Sequence, residues 1–119
     1  MPLIHVHLNR DLFDARHEEI GQAIHEAQIE ALGIPEDDRF QVFQPHDAGE
    51  FKFDTGYNGV DRRDILIIRV TAVHMYGTDT KRAFFKAVVA KLEPLGVRPE
   101  DVLICLTENG TDDWYAGRI

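Results

Sequence analysis

One piece of punctuation occurs twice in this chain and limits what it can fold into. Leu32-Gly33-Ile34-Pro35-Glu36-Asp37 is matched by Leu95-Gly96-Val97-Arg98-Pro99-Glu100-Asp101, the same run with one residue inserted. A glycine followed closely by a proline ends a helix, because Gly accepts the left-handed conformation and Pro cannot continue the turn. The residues before each stop agree. Ile20, Ile24, Ala27 and Ala31 recur at helical spacing, with Glu18, Glu19, Glu26 and Glu30 on other faces. Phe84, Phe85, Val88, Val89 and Leu92 form a second apolar face, which Pro94 must end or bend.

Strand-like runs flank both helices. Leu3 to Leu8 and Phe40-Gln41-Val42-Phe43 bracket the first; Ile65 to Val73 and Val102 to Leu106 bracket the second. The nearly unbroken apolar start of Ile65–Val73 predicts burial on both faces. Asn9 to Asp14 reads as a turn, with Asp11 or Asp14 placed to cap the first helix, and Thr78 as the cap of the second. Gln44 to Arg63 is rich in turn formers, with Phe51-Lys52-Phe53 a short strand or hairpin arm. A β-α-β unit of this length joins parallel strands by a right-handed crossover. Two units give an α+β fold: one four-stranded sheet with both helices on one face. The expected organisation is a single domain over 1–119, with repeats of about 2–63 and 64–119. The other sheet face needs cover, and oligomerisation supplies it when no helices remain.

Composition removes several functions. There are 21 acidic against 13 basic residues, a net charge of −8 and no Lys/Arg run, so no nucleic-acid footprint exists. One cysteine excludes an internal disulfide and suits a reducing cytosol. No apolar run approaches the roughly 18 residues of a membrane span, and the start lacks the order of a signal peptide. The expectation is a cytoplasmic protein that uses no membrane and no nucleic acid.

The chain begins Met1-Pro2-Leu3-Ile4. A proline after the initiator methionine normally has that methionine removed, which leaves Pro2 as a secondary amine. An ordinary α-amino group titrates at about 7.7–8.0, and burial disfavours its charged form. Such an amine in an apolar pocket acts as a general base at neutral pH, and the strand after it pins the terminus. A proline at a strand start also has purely structural uses, and with Met1 retained its nitrogen is an amide.

Pro2-Leu3, Gly33-Ile34-Pro35, Asp38-Arg39-Phe40-Gln41, His46, Lys81, Pro99-Glu100-Asp101-Val102, Glu108-Asn109 and Asp113-Trp114 stand in a shared order. Over essentially its whole length the chain resembles the tautomerase superfamily, in its malonate semialdehyde decarboxylase-like branch. The resemblance implies the fold of macrophage migration inhibitory factor and a homotrimer, with Pro2 in a pocket near a subunit boundary. It implies Pro2 and Asp38 as catalytic residues, Asp38 assisting the proline and activating water. The repeat singles out Asp38 independently, because its counterpart in the second unit is Val102. Arg39 and Trp114 are further expected contacts for the substrate.

Two departures stand out. The branch keeps two arginines after the central strand to hold a substrate carboxylate, and here those positions are His74 and Tyr76. A protonated His74 still binds a carboxylate, and Tyr76 donates a hydrogen bond; Arg62, Arg63 or Arg69 is the alternative source of charge. The branch also carries a longer tail beyond the Trp-x-x-Gly-Arg stretch, which would form a pocket wall.

Other residues read more plainly. His5 and His7 share a strand face without a visible third ligand, so no metal is expected. His17 and His25 are expected to be solvated, Cys105 to be a small core residue, and Tyr115 to line the pocket or pack a trimer edge. No Gly-rich phosphate loop is present. The first functional reading is a cofactor-free enzyme interconverting keto and enol forms of a small carboxylate-bearing 2-oxo acid. The alternatives are a lyase or hydratase acting on a 3-oxo or unsaturated acid, and a non-catalytic trimeric binding protein.

Overall fold

The computed structural model describes residues 1–118. Strand β1 (Leu3–Asn9) runs directly into helix α1 (Arg10–Leu32), followed by β2 (Gln41–His46). The second unit repeats this as β3 (Leu66–Val73), α2 (Thr78–Leu92) and β4 (Val102–Asn109). The sheet order is β2-β1-β3-β4. β1 is parallel to β2 and β3 to β4, so each unit is the expected β-α-β crossover. The two units join through an antiparallel β1–β3 seam that pairs Leu3 with Thr71 and Val6 with Ile68.

The cap of α1 is Asn9, not Asp11 or Asp14. Asn9 is extended, and its Oδ1 accepts the Leu12 N–H at 2.7 Å. With no Gly or Pro between Asn9 and Asp14, nothing stops the helix from starting there, and the segment read as a turn is its first turn. Gly33 ends α1 at φ 68°, its N–H bonded to the Ile29 carbonyl at 3.2 Å. The cap of α2 is extended Gly77, without a side-chain bond, and Thr78 is the first helical residue. Pro94 sits in a short 3-10 turn that continues α2 to Gly96. Phe51-Lys52-Phe53 forms no strand; its rings pack instead, Phe51 against His46 with centroids 5.0 Å apart.

Alternation puts Ile4, Val6 and Leu8 of β1 and Leu66, Ile68, Val70 and Ala72 of β3 into the core. Ile20, Ile24 and Ala27 of α1 and Phe84, Val88 and Leu92 of α2 cover them from one side. The close approach of α1 to β2 occurs at Gly21, where a Cβ would lie 2.7 Å from Gln41 Oε1. The opposite face carries His5, His7, Val42, Arg69, Leu103 and Cys105, with Val42 43% and Leu103 45% exposed. β3 is therefore buried on one face only within a protomer, because both helices lie on the same side. Cys105 belongs to this uncovered face and is exposed, not a core residue.

The duplicated stops differ in one respect. Asp101 is 3% exposed, accepts the Arg63 N–H at 2.8 Å and lies 3.4 Å from the Arg98 guanidinium. Its counterpart Asp37 is exposed. Removing Asp101 strands a backbone donor at the entry to β3. Asp101→Ala should cost about 1–3 kcal/mol in urea unfolding, while Asp37→Ala should stay within about 0.5 kcal/mol.

Candidate active site

The antiparallel seam brings the starts of β1 and β2 to the same end of the sheet as the ends of β3 and β4. Pro2 is buried there. The Ile4 N–H bonds the Phe40 carbonyl at 3.0 Å, which draws the loop before β2 alongside the terminus. That loop is shaped by a turn in which the Asp38 N–H reaches the Pro35 carbonyl at 3.1 Å. His25 holds the turn from below, its Nε2 2.7 Å from the Glu36 carbonyl. A carbonyl only accepts, so Nε2 carries the proton. His25 is thus buried rather than solvated, because a partner for its ring lies under α1.

Asp38 has a side chain 17% exposed, and its Oδ2 lies 3.6 Å from the Met1 amino nitrogen. Its Oδ1 is buried and has no hydrogen-bond partner. Burial, and then the Asp38 carboxylate nearby, push the Tyr76 phenol above its usual range. Tyr76 therefore keeps its proton and can donate it to an acceptor. A cavity of about 230 Å³ opens beside these groups, lined by Met1, Leu3, Phe40, Trp114, Tyr115 and Ala116. Trp114 is fixed in it by an Nε1–H bond to Asn109 Oδ1 at 2.8 Å.

His74 does not itself line that cavity; its N–H bonds the carbonyl of Asn109, the residue that holds Trp114, at 2.8 Å, and its side chain is 77% exposed. Its Nδ1 meets Glu108 Oε2, and Glu108 Oε1 accepts Lys81 Nζ at 2.5 Å. The Lys81 bond, with His74 assisting against some desolvation, holds the Glu108 carboxyl below its usual range. Lys81 and Glu108 carry part of the family resemblance, but the sequence alone assigns them no place in the site. The available signal was alternation: Val102, Ile104 and Leu106 face the helices, and Glu108 is next in that row.

The structure brings Pro2, Asp38, Tyr76, His74 and Trp114 to one end of the sheet, and it does not bring Arg39. The Arg39 guanidinium turns toward α1, bonding Gln22 Oε1 at 2.9 Å and Gln41 Oε1 at 3.4 Å. Arg62 bonds the Tyr57 carbonyl, Arg63 pairs with Asp61, and Arg69 lies on the uncovered sheet face. None of them lines the cavity.

The other histidines are accounted for locally. His17 is half-buried rather than solvated, stacked on Phe13 with centroids 4.3 Å apart. His7 stacks on His46, with Nδ1 2.9 Å from Nε2. Among the described residues no group of three or more His, Cys, Asp or Glu side chains gathers as a metal site. No helix among them is long and apolar enough to cross a membrane.

Fold and site together define a duplicated β-α-β protein with its chain start in a pocket. Residues 38–117 match a family model described as "Tautomerase enzyme", and residues 2–55 match a second model of that description. "Probable tautomerase YusQ" of Bacillus subtilis (strain 168) is 35% identical over 119 residues, covering 98% of this chain and 94% of that protein. The crystal structure of FG41 malonate semialdehyde decarboxylase inhibited by 3-bromopropiolate is 34% identical, with a TM-score of 0.91. It covers 97% of this chain and 88% of its own. A fused 4-OT protein solved as a symmetric trimer shares the fold at 18% identity and a TM-score of 0.80, covering 97% of this chain and 91% of its own. The chain belongs to the tautomerase enzyme family.

The His7–His46 contact generates a stability prediction. Burial first, then the charges of His46, Arg69 and His5, lower the His7 pKa below its ordinary value. The folded state therefore binds fewer protons than the unfolded chain in that range. The stability involved is complete above the ordinary histidine value of about 6.5 and is lost as pH falls through it. The melting temperature should drop between about pH 7.5 and 5, and His7→Gln should reduce the slope.

Proposed function

We propose that Pro2, freed of Met1, moves a proton between carbon and oxygen of a small 2-oxo acid, interconverting its keto and enol forms. The observation that carries this reading is the Asp38 carboxylate, 3.6 Å from the amine that precedes Pro2 and with its other oxygen buried and unpartnered. In ketonisation, protonated Pro2 gives its proton to the carbon next to the carbonyl as the enol O–H proton leaves through Asp38 or a water bound to it. Pro2 then regains a proton, and the net change is relocation of one hydrogen. The Tyr76 hydroxyl and His74 hold the acid group, while Trp114 and Phe40 wall the apolar part. Only protons move, so the reaction calls for no cofactor.

Kinship with a malonate semialdehyde decarboxylase favours a lyase as the second reading. Loss of carboxylate needs fixed positive charge, which two guanidinium groups supply at any working pH. His74 and Tyr76 do not match that.

The test compares two reactions in one preparation whose mass shows Met1 gone. Enolised phenylpyruvate should ketonise faster than in buffer, and Pro2→Ala should lose about 100-fold of that gain. Malonate semialdehyde should be decarboxylated slowly or not at all. An unchanged rate in Pro2→Ala overturns the proline's role, and efficient decarboxylation at about pH 8 reverses the order of the two readings. Retention of Met1 points to a binding protein instead.

The uncovered sheet face supports a homotrimer, the assembly of the fused 4-OT relative. Val42 and Leu103 are too apolar to be left in water across a whole face. Light scattering should return three times the 13.6 kDa chain mass. A stable monomer would contradict it.

A further inference from the structure

We propose that Glu108 is a positioning residue which, with Lys81, makes carboxylate binding at this site depend on uptake of one proton by His74. The proposal rests on reading the pocket as an acid-binding site.

Glu108 divides its two oxygens, Oε1 to Lys81 of α2 and Oε2 to His74 in the loop after β3. A carboxylate only accepts hydrogen bonds, so His74 Nδ1 is the donor. That fixes the tautomer: in the neutral ring Nε2 has no proton and presents a lone pair. The charge count is equally constrained. Lys81 contributes +1 and Glu108 −1, so with neutral His74 the cluster has no net charge. An arriving carboxylate then finds no net positive charge in the cluster and an Nε2 that cannot donate.

Protonation of Nε2 changes both at once. The cluster becomes +1, and the new N–H lies on the ring edge opposite Glu108. The other charged groups are accounted for. Asp38 faces Tyr76 and the terminal amine, and Arg39, Arg62 and Arg63 are held by Gln22, the Tyr57 carbonyl and Asp61; the cluster stands behind the cavity wall, joined to Trp114 through Asn109. Lys81 is held by Glu108 at 2.5 Å. The cluster thereby offers one conditional cation. Recognition of this kind suits a monocarboxylate with an apolar side chain, in keeping with the Leu3, Phe40 and Trp114 lining, better than a dicarboxylate.

A purely structural Glu108, tying α2 to β4 through Lys81, would predict something else. Its loss would lower stability and weaken binding without changing the proton count.

The experiment measures binding of 3-phenylpropionate, a saturated acid that cannot tautomerise, by calorimetry at about pH 8 in buffers of different ionisation enthalpy. Wild type should take up close to one proton per acid bound, and its Kd should rise with pH by up to about tenfold per unit. Glu108→Gln leaves Lys81 unopposed. It should bind at least about threefold more tightly at that pH, with uptake falling to about half a proton or less. Lys81→Met should bind more weakly with uptake retained, and His74→Gln should abolish uptake. Failure of wild type to bind the acid or to take up a proton overturns the proposal. So does unchanged uptake in Glu108→Gln, or persistent uptake in His74→Gln. If Pro2→Ala keeps the full ketonisation rate, the reaction assigned above fails while the proton count still decides this inference.

Discussion

The site exists because two parallel units are joined by one antiparallel seam. Within a β-α-β unit both strands start at the same end, so a unit alone gathers only strand starts on one side. Pairing β1 with β3 antiparallel inverts the second unit. The starts of β1 and β2 then lie beside the ends of β3 and β4, so the other three strands each bring one terminus to the end of the sheet where Pro2 is buried. Register matters as much as direction. A slip of one residue would send Ile4, Val6 and Leu8 to the uncovered face and His5 and His7 into the core. The buried row against α1 and α2 prevents that slip, so core packing is what sets the position of the terminus.

Much of this was legible because it is encoded in backbone chemistry. Gly33 and Gly96 both sit in the left-handed region, at φ 68° and 87°, as their place after each helix requires. The repeat therefore yields the crossovers and the helix placement before any contact is known, while the strand order and the antiparallel β1–β3 seam come from the structure. Asp38 was legible for a related reason, as a charge at a position where its repeat partner is Val102. The cap at Asn9 was missed because Asn, Asp and Thr are similar as caps, and only the chain path decides which is used.

What could not be read depends on where side chains end. Arg39 is next to Asp38 in sequence, yet its long side chain reaches Gln22 on α1. His25 lies in an acidic helix and looks solvated, but a carbonyl of the Glu36 turn lies within reach of its ring. Cys105 stands among Ile104 and Leu106 and alternates to the other face. The Lys81–Glu108–His74 cluster joins the loop after β3 and α2 to the distant β4, and no spacing rule connects them. Each of these errors concerns a tertiary neighbour, and none concerns an element.

The same neighbours bear on which chemistry the fold can support. The chain carries a net charge of −8, so the acid proposed as substrate would approach against an unfavourable field. Local positive charge must offset this, and His74 and Tyr76 offer only an imidazole and a phenol. Lys81 is close, but its charge is matched by Glu108. A leaving carboxylate would need that compensation throughout bond breaking, whereas a migrating proton needs it only while the acid is oriented. Asp38 fits the second requirement: a half-buried carboxylate with one free oxygen accepts a proton or a hydrogen bond without opposing the departure of another anion. That is the ground on which the proposed reading puts a proton shuttle ahead of loss of carbon dioxide.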